Sequence, residues 1–201
     1  MYYDPRAGDH NLPRDPFKSL IVPRPIGWIS SISDKGVVNL APYSFFNGVS
    51  TNPAAVMFCP GGAQRKDSLD NIQQTGEFVV NVVTESQHKE MNATSAEVPA
   101  DVDEFALAGL EALPSRAVAP PRVAGAPVHM ECRYLRTISL PADDPAAPND
   151  MVIGLVIGIH IDEAILTGGM VDMAKFRPIA RLGYMDYTVV DNVFTMMRPG
   201  L

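Results

Sequence analysis

VHMECRYLRTISL (residues 128–140) and MVIGLVIGIHI (residues 151–161), joined by PADDPAAPND (residues 141–150), decide the reading of the fold. The outer segments are rich in β-branched and long apolar residues, whereas the middle one is polar and proline-rich. That contrast predicts two long strands, Val128–Leu140 and Met151–Ile161, around an exposed hairpin loop, Pro141–Asp150. Working outward, the same signals mark strands over Ile26–Ile32, Val37–Phe46, Ala55–Phe58 and Phe78–Val83. Asp34-Lys35-Gly36 suits a hairpin turn between the first two. Helical signals are few and short: Ser68–Thr75, Glu85–Ala93 and Val171–Phe176. They cannot cover a parallel sheet, so the expected fold is mostly β, an antiparallel barrel with a few short helices plugging its ends. Leu113–Pro127 carries four prolines and reads as a wandering connection. No internal repeat or compositional break is visible, so residues 1–201 are read as one domain with a core of about 20–190.

Composition narrows the function. Hydrophobic residues make up 46% and charged residues 19%, the range of a chain that folds rather than stays disordered. A net charge of −7 with scattered cations would repel a phosphate backbone, which argues against nucleic acid as a partner. Met1–Phe17 is polar and lacks the apolar stretch of a secretory signal, so a cytoplasmic location is expected. The longest apolar run, Met151–Ile161, is interrupted by Gly154, Gly158 and His160 and is too short to span a bilayer, so no membrane role is expected. Cys59 and Cys132 stand far apart in no metal-ligand pattern and are read as reduced thiols.

Gly61-Gly62-Ala63-Gln64-Arg65-Lys66-Asp67-Ser68-Leu69-Asp70-Asn71-Ile72 follows a strand and opens a helix. Asp67 is read as the N-cap, with Asp70 three residues on and Gly76 closing the helix in a left-handed conformation. The free amides of a helix N-terminus attract anions, and Arg65 and Lys66 precede them directly, so a phosphate fits. The segment is neither a P-loop nor a GxGxxG fingerprint. Taken alone, it could equally be a capped surface helix with solvated cations. Two other stretches add to it. Arg24-Pro25-Ile26-Gly27-Trp28-Ile29-Ser30-Ser31 sets adjacent hydroxyls on a strand, where they can bond a polyol or a ring edge. Asn39-Leu40-Ala41-Pro42-Tyr43-Ser44-Phe45-Phe46-Asn47 places Pro42 inside a strand run, which predicts an irregular strand there with amides freed for a ligand.

The segments RPIGWISSIS, NLAPYSFFN, RKDSLDNI, FVVNVV, MVIGLVIGIHIDE and RPIARLGYMDY, in this order from about Pro23 to Tyr187, resemble the flavin reductase family with the FMN-binding split-barrel fold. The resemblance implies a Greek-key split β-barrel that forms a homodimer, with FMN bound near the subunit interface. It implies that Ser30 and Ser31 hydrogen-bond the flavin. The backbone from Ala41 through Pro42, Tyr43, Ser44 and Phe45 to Phe46 would line the isoalloxazine and ribityl chain. Arg65, Lys66, Asp67 and Ser68 would take the phosphate. NADH or NADPH is the implied co-substrate of an NAD(P)H-dependent flavin oxidoreductase, and a flavin-dependent monooxygenase the implied partner. The alternative in the same family is a flavoredoxin-type electron carrier without NAD(P)H turnover. One departure stands out, since many relatives carry a second glycine where this chain has Tyr184.

Other residues bear two readings. His160 lies in an apolar strand, where a histidine is either a hydrogen-bonded core residue or, as the resemblance suggests, a candidate near the reaction. Trp28 reads as core. Arg181 is one charge in the apolar run Pro178–Tyr184, with three readings open: neutralising the cofactor, anchoring an interface or pairing with Asp186. Asp101, Asp103 and Glu104 read as a solvated loop rather than a metal site. His129 and Cys132 fall on opposite strand faces and form no nucleophilic pair.

Overall fold

The computed structural model describes residues 1–61, 66–144, 147 and 149–200. Strand outweighs helix by 38% to 17%, which makes the chain mostly β. The strands are β1 (Arg24–Pro25), β2 (Gly27–Ile32), β3 (Val38–Tyr43), β4 (Phe46–Thr51), β5 (Ala54–Phe58), β6 (Glu77–Val82), β7 (Val128–Leu140), β8 (Asn149–Ile161), β9 (Ile179–Arg181) and β10 (Tyr187–Val189), besides two small ribbons. The helices are α1 (Phe17–Leu20), α2 (Asp67–Thr75), α3 (His88–Ala93), α4 (Glu104–Leu107) and α5 (Met173–Phe176).

Seven strands form one antiparallel sheet in the spatial order β3-β2-β6-β7-β8-β5-β4. Its outermost strands, β3 and β4, are consecutive in the chain and separated only by Ser44 and Phe45. Three Cα steps span at most about 11 Å, so the two sheet edges meet at this corner and the sheet is curled into a split barrel. This corrects the single strand expected over Val37–Phe46. The chain changes partner at Ser44-Phe45, leaving β2 for β5, and the break does not fall at Pro42. Through Pro42 the register with β2 is regular, Trp28 opposite Pro42 and Ser30 opposite Leu40. A proline is tolerated here because β3 is an edge strand. The amide of Leu40, of the same parity, points away from β2 to a Glu104 carboxylate, so an N–H at position 42 would also face outward.

Strand alternation splits the interior into two cores. On one side of the sheet Ile29, Phe58, Phe78, Val80 and Cys132 bury the Leu69 and Ile72 face of α2. On the other, Trp28, Leu40 and Val83 pack with Met91 of α3 and Phe105 of α4. Trp28 is fully buried and donates Nε1–H to Thr94 Oγ1 at 2.9 Å. Cys59 and Cys132 are free thiols. Among the described residues no helix is long and apolar enough to cross a membrane. A small three-stranded sheet, β1-β9-β10, sets Arg24 opposite Arg181 at the entrance to β2.

Candidate functional site

Helix α2 begins one residue earlier than its sequence suggests. The Lys66 carbonyl already accepts the first helical bond, from Leu69 N–H at 2.9 Å, so Lys66 is the N-cap and Asp67 the first helical residue. Lys66 contributes no side-chain cap, and the acids Asp67 and Asp70 instead complement the helix dipole in the first turn. Gly76 closes the helix in the left-handed region, φ 76°, as its position indicates.

The start of α2 faces a cavity of about 450 Å³ whose wall includes Ala41, Pro42 and Tyr43 of β3 together with Lys66, Asp67 and Ser68. Pro42 and Ser95 also wall a second cavity, about 280 Å³, with Ser44 and Arg181. Ser44 and Arg181 in turn wall a third, about 320 Å³, beside Arg24 and Tyr184. Through these shared wall residues the three cavities succeed one another from the N-terminus of α2 along β3 to Arg181, and together they are called the groove. Its size suits a small organic ligand.

One hydrogen-bond chain fixes the groove at the α2 end. Tyr43 donates its hydroxyl to Ser68 Oγ (3.0 Å), Ser68 donates to Asn39 Oδ1 (2.7 Å), and Asn39 donates Nδ2–H to Glu104 Oε1 (2.8 Å). The other Glu104 oxygen accepts the Leu40 amide at 3.0 Å. A carboxylate that only accepts sets the direction of every bond behind it. Burial pushes Tyr43 up to about 12, against the opposing effect of its bond to Ser68, so it stays a phenol and a donor at neutral pH. Burial likewise raises Glu104, which is 4% exposed, against the bonds it accepts. Ser68 has therefore committed its only proton, and what α2 offers an anion is backbone N–H. Among the described residues the amides of Asp67 and Ser68 find no acceptor. Among the described residues the partner of the Lys66 ammonium is the exposed Glu97, at 3.2 Å, a pair weak enough to yield to a stronger anion. The residues present thus fit a phosphate ester at this end.

The expected site residues divide accordingly. Ala41, Pro42, Tyr43, Ser44, Lys66, Asp67, Ser68 and Arg181 come together along the groove; Arg65 lies outside the described residues. Ser30 and Ser31 do not line it. Neighbours on a strand face opposite ways, and both are fully buried: Ser30 donates to the Pro121 carbonyl, while Ser31 contacts Asn39 (3.4 Å) and Asn71 (3.2 Å). Phe46 is packed against Gly27, and Phe45 lies under the Arg24 guanidinium. His160 also stands apart, bonded through Nε2 to Glu131 at 2.5 Å. Glu131 is buried, yet the amides of Arg116 and Ala117 and the His160 ring outweigh that burial and hold it below the usual carboxylate range. Arg181 makes no ion pair with Asp186; it bonds the Tyr184 carbonyl and Tyr187 hydroxyl and lies over the Tyr187 ring at 4.5 Å. Tyr184 sits at φ +53°, in the left-handed region that favours glycine.

Glu104 and Asn39 are the residues that sequence reasoning missed. Glu104 is no solvated loop acid: Asp103 caps α4 by accepting from Phe105 N–H at 2.8 Å, and the helix turns Glu104 inward beside Phe105. The signal available was the Asp-Glu-Phe run, a cap followed by a buried aromatic.

The chain matches known proteins in sequence and fold. Residues 19–180 match the family model described as a flavin reductase like domain. A protein of Aquifex aeolicus is 38% identical over 168 residues, covering 82% of this chain and 83% of its own. Among solved structures, nitrilotriacetate monooxygenase component B from Bacillus cereus is 31% identical with a TM-score of 0.88, covering 98% of both chains. The 2-nitrobenzoate 2-nitroreductase of Pseudomonas fluorescens is 27% identical with a TM-score of 0.80, covering 92% of this chain and 90% of its own. The chain belongs to the flavin reductase-like domain family.

Proposed function

We propose that the protein binds FMN along the groove and passes hydride from NADH or NADPH to the flavin, supplying reduced flavin to a partner monooxygenase. The observation that carries this reading is the polarity of the groove, with Lys66 and helix amides that find no acceptor among the described residues at one end and strand backbone leading from them toward Arg181. Lys66, Asp67 and Ser68, with Arg65, take the phosphate. Ala41, Pro42, Tyr43 and Ser44 form the wall along the ribityl chain and ring, with Phe45 and Phe46 behind the corner. FMN, when bound, supplies hydride and electron transfer. The protein contributes orientation and charge, so no single acid or base is required. Ser31 braces Asn39 from behind, and Ser30 and His160 act away from the ligand. Likeness to the Bacillus cereus monooxygenase component supports the monooxygenase as partner.

Mixing the protein and FMN with NADH or NADPH under anaerobic conditions tests this. Flavin absorbance is expected to bleach well above the protein-free rate with at least one nucleotide. Tight yellow protein with no bleaching by either would point instead to a flavoredoxin-type carrier.

The proposal includes a cytoplasmic homodimer. Ile159 and Ile161, at alternate positions and therefore on one face of β8, are 56% and 47% exposed, and Ile157 at the β-bulge before them is 43% exposed, an apolar row of the kind a second chain covers. Ile159→Glu is expected to turn a dimer into a monomer in light scattering; a wild-type monomer would contradict the assembly.

A further inference from the structure

The end of the groove away from α2 gathers Arg24, Arg181 and Lys18, and among the described residues no carboxylate forms an ion pair with any of them. Arg24 is 5% exposed. Its guanidinium donates to the carbonyls of Lys18, Ile21 (2.8 Å) and Leu182 (2.8 Å) and to Ser44 Oγ (3.4 Å). These acceptors are neutral, and among the described residues no carboxylate lies within ion-pair distance of it. Opposite it in register stands a second guanidinium, Arg181, whose partners are a carbonyl, a hydroxyl and an aromatic face. Burial first, and then this neighbour, push Arg24 below its ordinary value. Lys18 and Ser19 complete the wall, and Ser19 Oγ is buried with no hydrogen-bond partner. Among the described residues of this wall Asp15 is the acid; it accepts the Phe17 amide at 2.8 Å and pairs with neither guanidinium, leaving the cations in excess. Gly183 admits this arrangement, since a Cβ at that position would overlap Ser19.

A purely structural role, tying Lys18–Ile21 to Leu182, accounts for the hydrogen bonds of Arg24. It leaves the charge unexplained. Carbonyls satisfy donors without cancelling a buried cation, and a second guanidinium in register raises the cost. An anion in the cavity would offset both and give Ser19 an acceptor.

We propose that Arg24, Arg181, Lys18 and Ser19 form an anion subsite that takes a phosphoryl group of the second ligand, the diphosphate of a nicotinamide dinucleotide. The identity of that ligand rests on the proposed function; the anion subsite does not.

Sodium pyrophosphate titrated into the 15N-labelled full chain, with and without saturating FMN, tests it by amide NMR. Saturable shifts are expected at Ser19, Leu182 and Gly183 in both series, and ADP-ribose is expected to displace pyrophosphate from the same amides. Arg181→Gln should weaken pyrophosphate about tenfold, the loss of a charge-assisted contact. If Arg24→Gln fails to fold, Arg181→Gln carries the test. Unmoved amides at these positions, or equal shifts in Arg181→Gln, would overturn the subsite; failure of ADP-ribose to compete would overturn the dinucleotide. Pyrophosphate binding here without FMN binding would sink the flavin reading alone.

Discussion

Gly154→Val is expected to lower the unfolding free energy by about 3 kcal/mol or more, enough to leave little folded protein in a domain of ordinary stability. Gly154 lies mid-strand in β8, paired with Tyr134 on one side and Val56 on the other. A Cβ there would stand 2.3 Å from Phe78 Cζ and 3.3 Å from the Arg133 carbonyl. The Phe78 ring cannot retreat, because it is fully buried edge-on to an equally buried Phe58, ring centroids 5.6 Å apart. Gly158, four residues on, provides the contrast. A Cβ there meets only ordinary contacts, the nearest at 3.6 Å from Glu131, so Gly158→Ala is expected to be neutral or to stabilise by less than about 1 kcal/mol. Denaturant midpoints of the two variants decide it; an unchanged midpoint for Gly154→Val would mean the two faces of the barrel are packed differently.

Glu104→Ala is expected to cost about 2–4 kcal/mol of stability and to weaken FMN binding as well. The carboxylate terminates the chain of donors from Tyr43 through Ser68 and Asn39, and it satisfies the Leu40 amide. Without it two buried donors lose their acceptor, Asn39 is free to rotate, and Ser68 no longer has a fixed proton. Glu104→Gln keeps the shape but turns one acceptor into a donor facing a donor, so an intermediate loss is expected. Denaturation and FMN titration of the same samples check both effects. A destabilised variant with unchanged FMN affinity would separate the network from the site.

Most of the barrel can be read along the chain because each long strand carries its own signal. The run Val128–Leu140 coincides with β7, and Met151–Ile161 lies within β8, which starts two residues earlier at Asn149. The division of Val37–Phe46 could not be found that way. Tyr43-Ser44-Phe45-Phe46 is locally strand-like throughout, and the chain breaks there because the barrel closes, a property of all seven strands. The site shows the same limit. The start of α2 and the β3 wall lie in short contiguous motifs, so their place beside one cavity can be anticipated from the chain. Ser30 and Ser31 were placed together by adjacency, although strand geometry sends them to opposite sides. Glu104 reads as a solvated acid and Arg24 as one more motif residue, because burial gives each its role and burial is decided by elements far away in sequence.

The central claim, that the start of α2 holds the phosphate of FMN, is tested most directly by comparing FMN with riboflavin, which differ at that group. For Arg65→Ala with Lys66→Ala, the dissociation constant of FMN is expected to rise at least about tenfold, the loss of charge-assisted contacts, and that of riboflavin less than about twofold. Equal losses for both ligands would contradict the account and place the phosphate elsewhere.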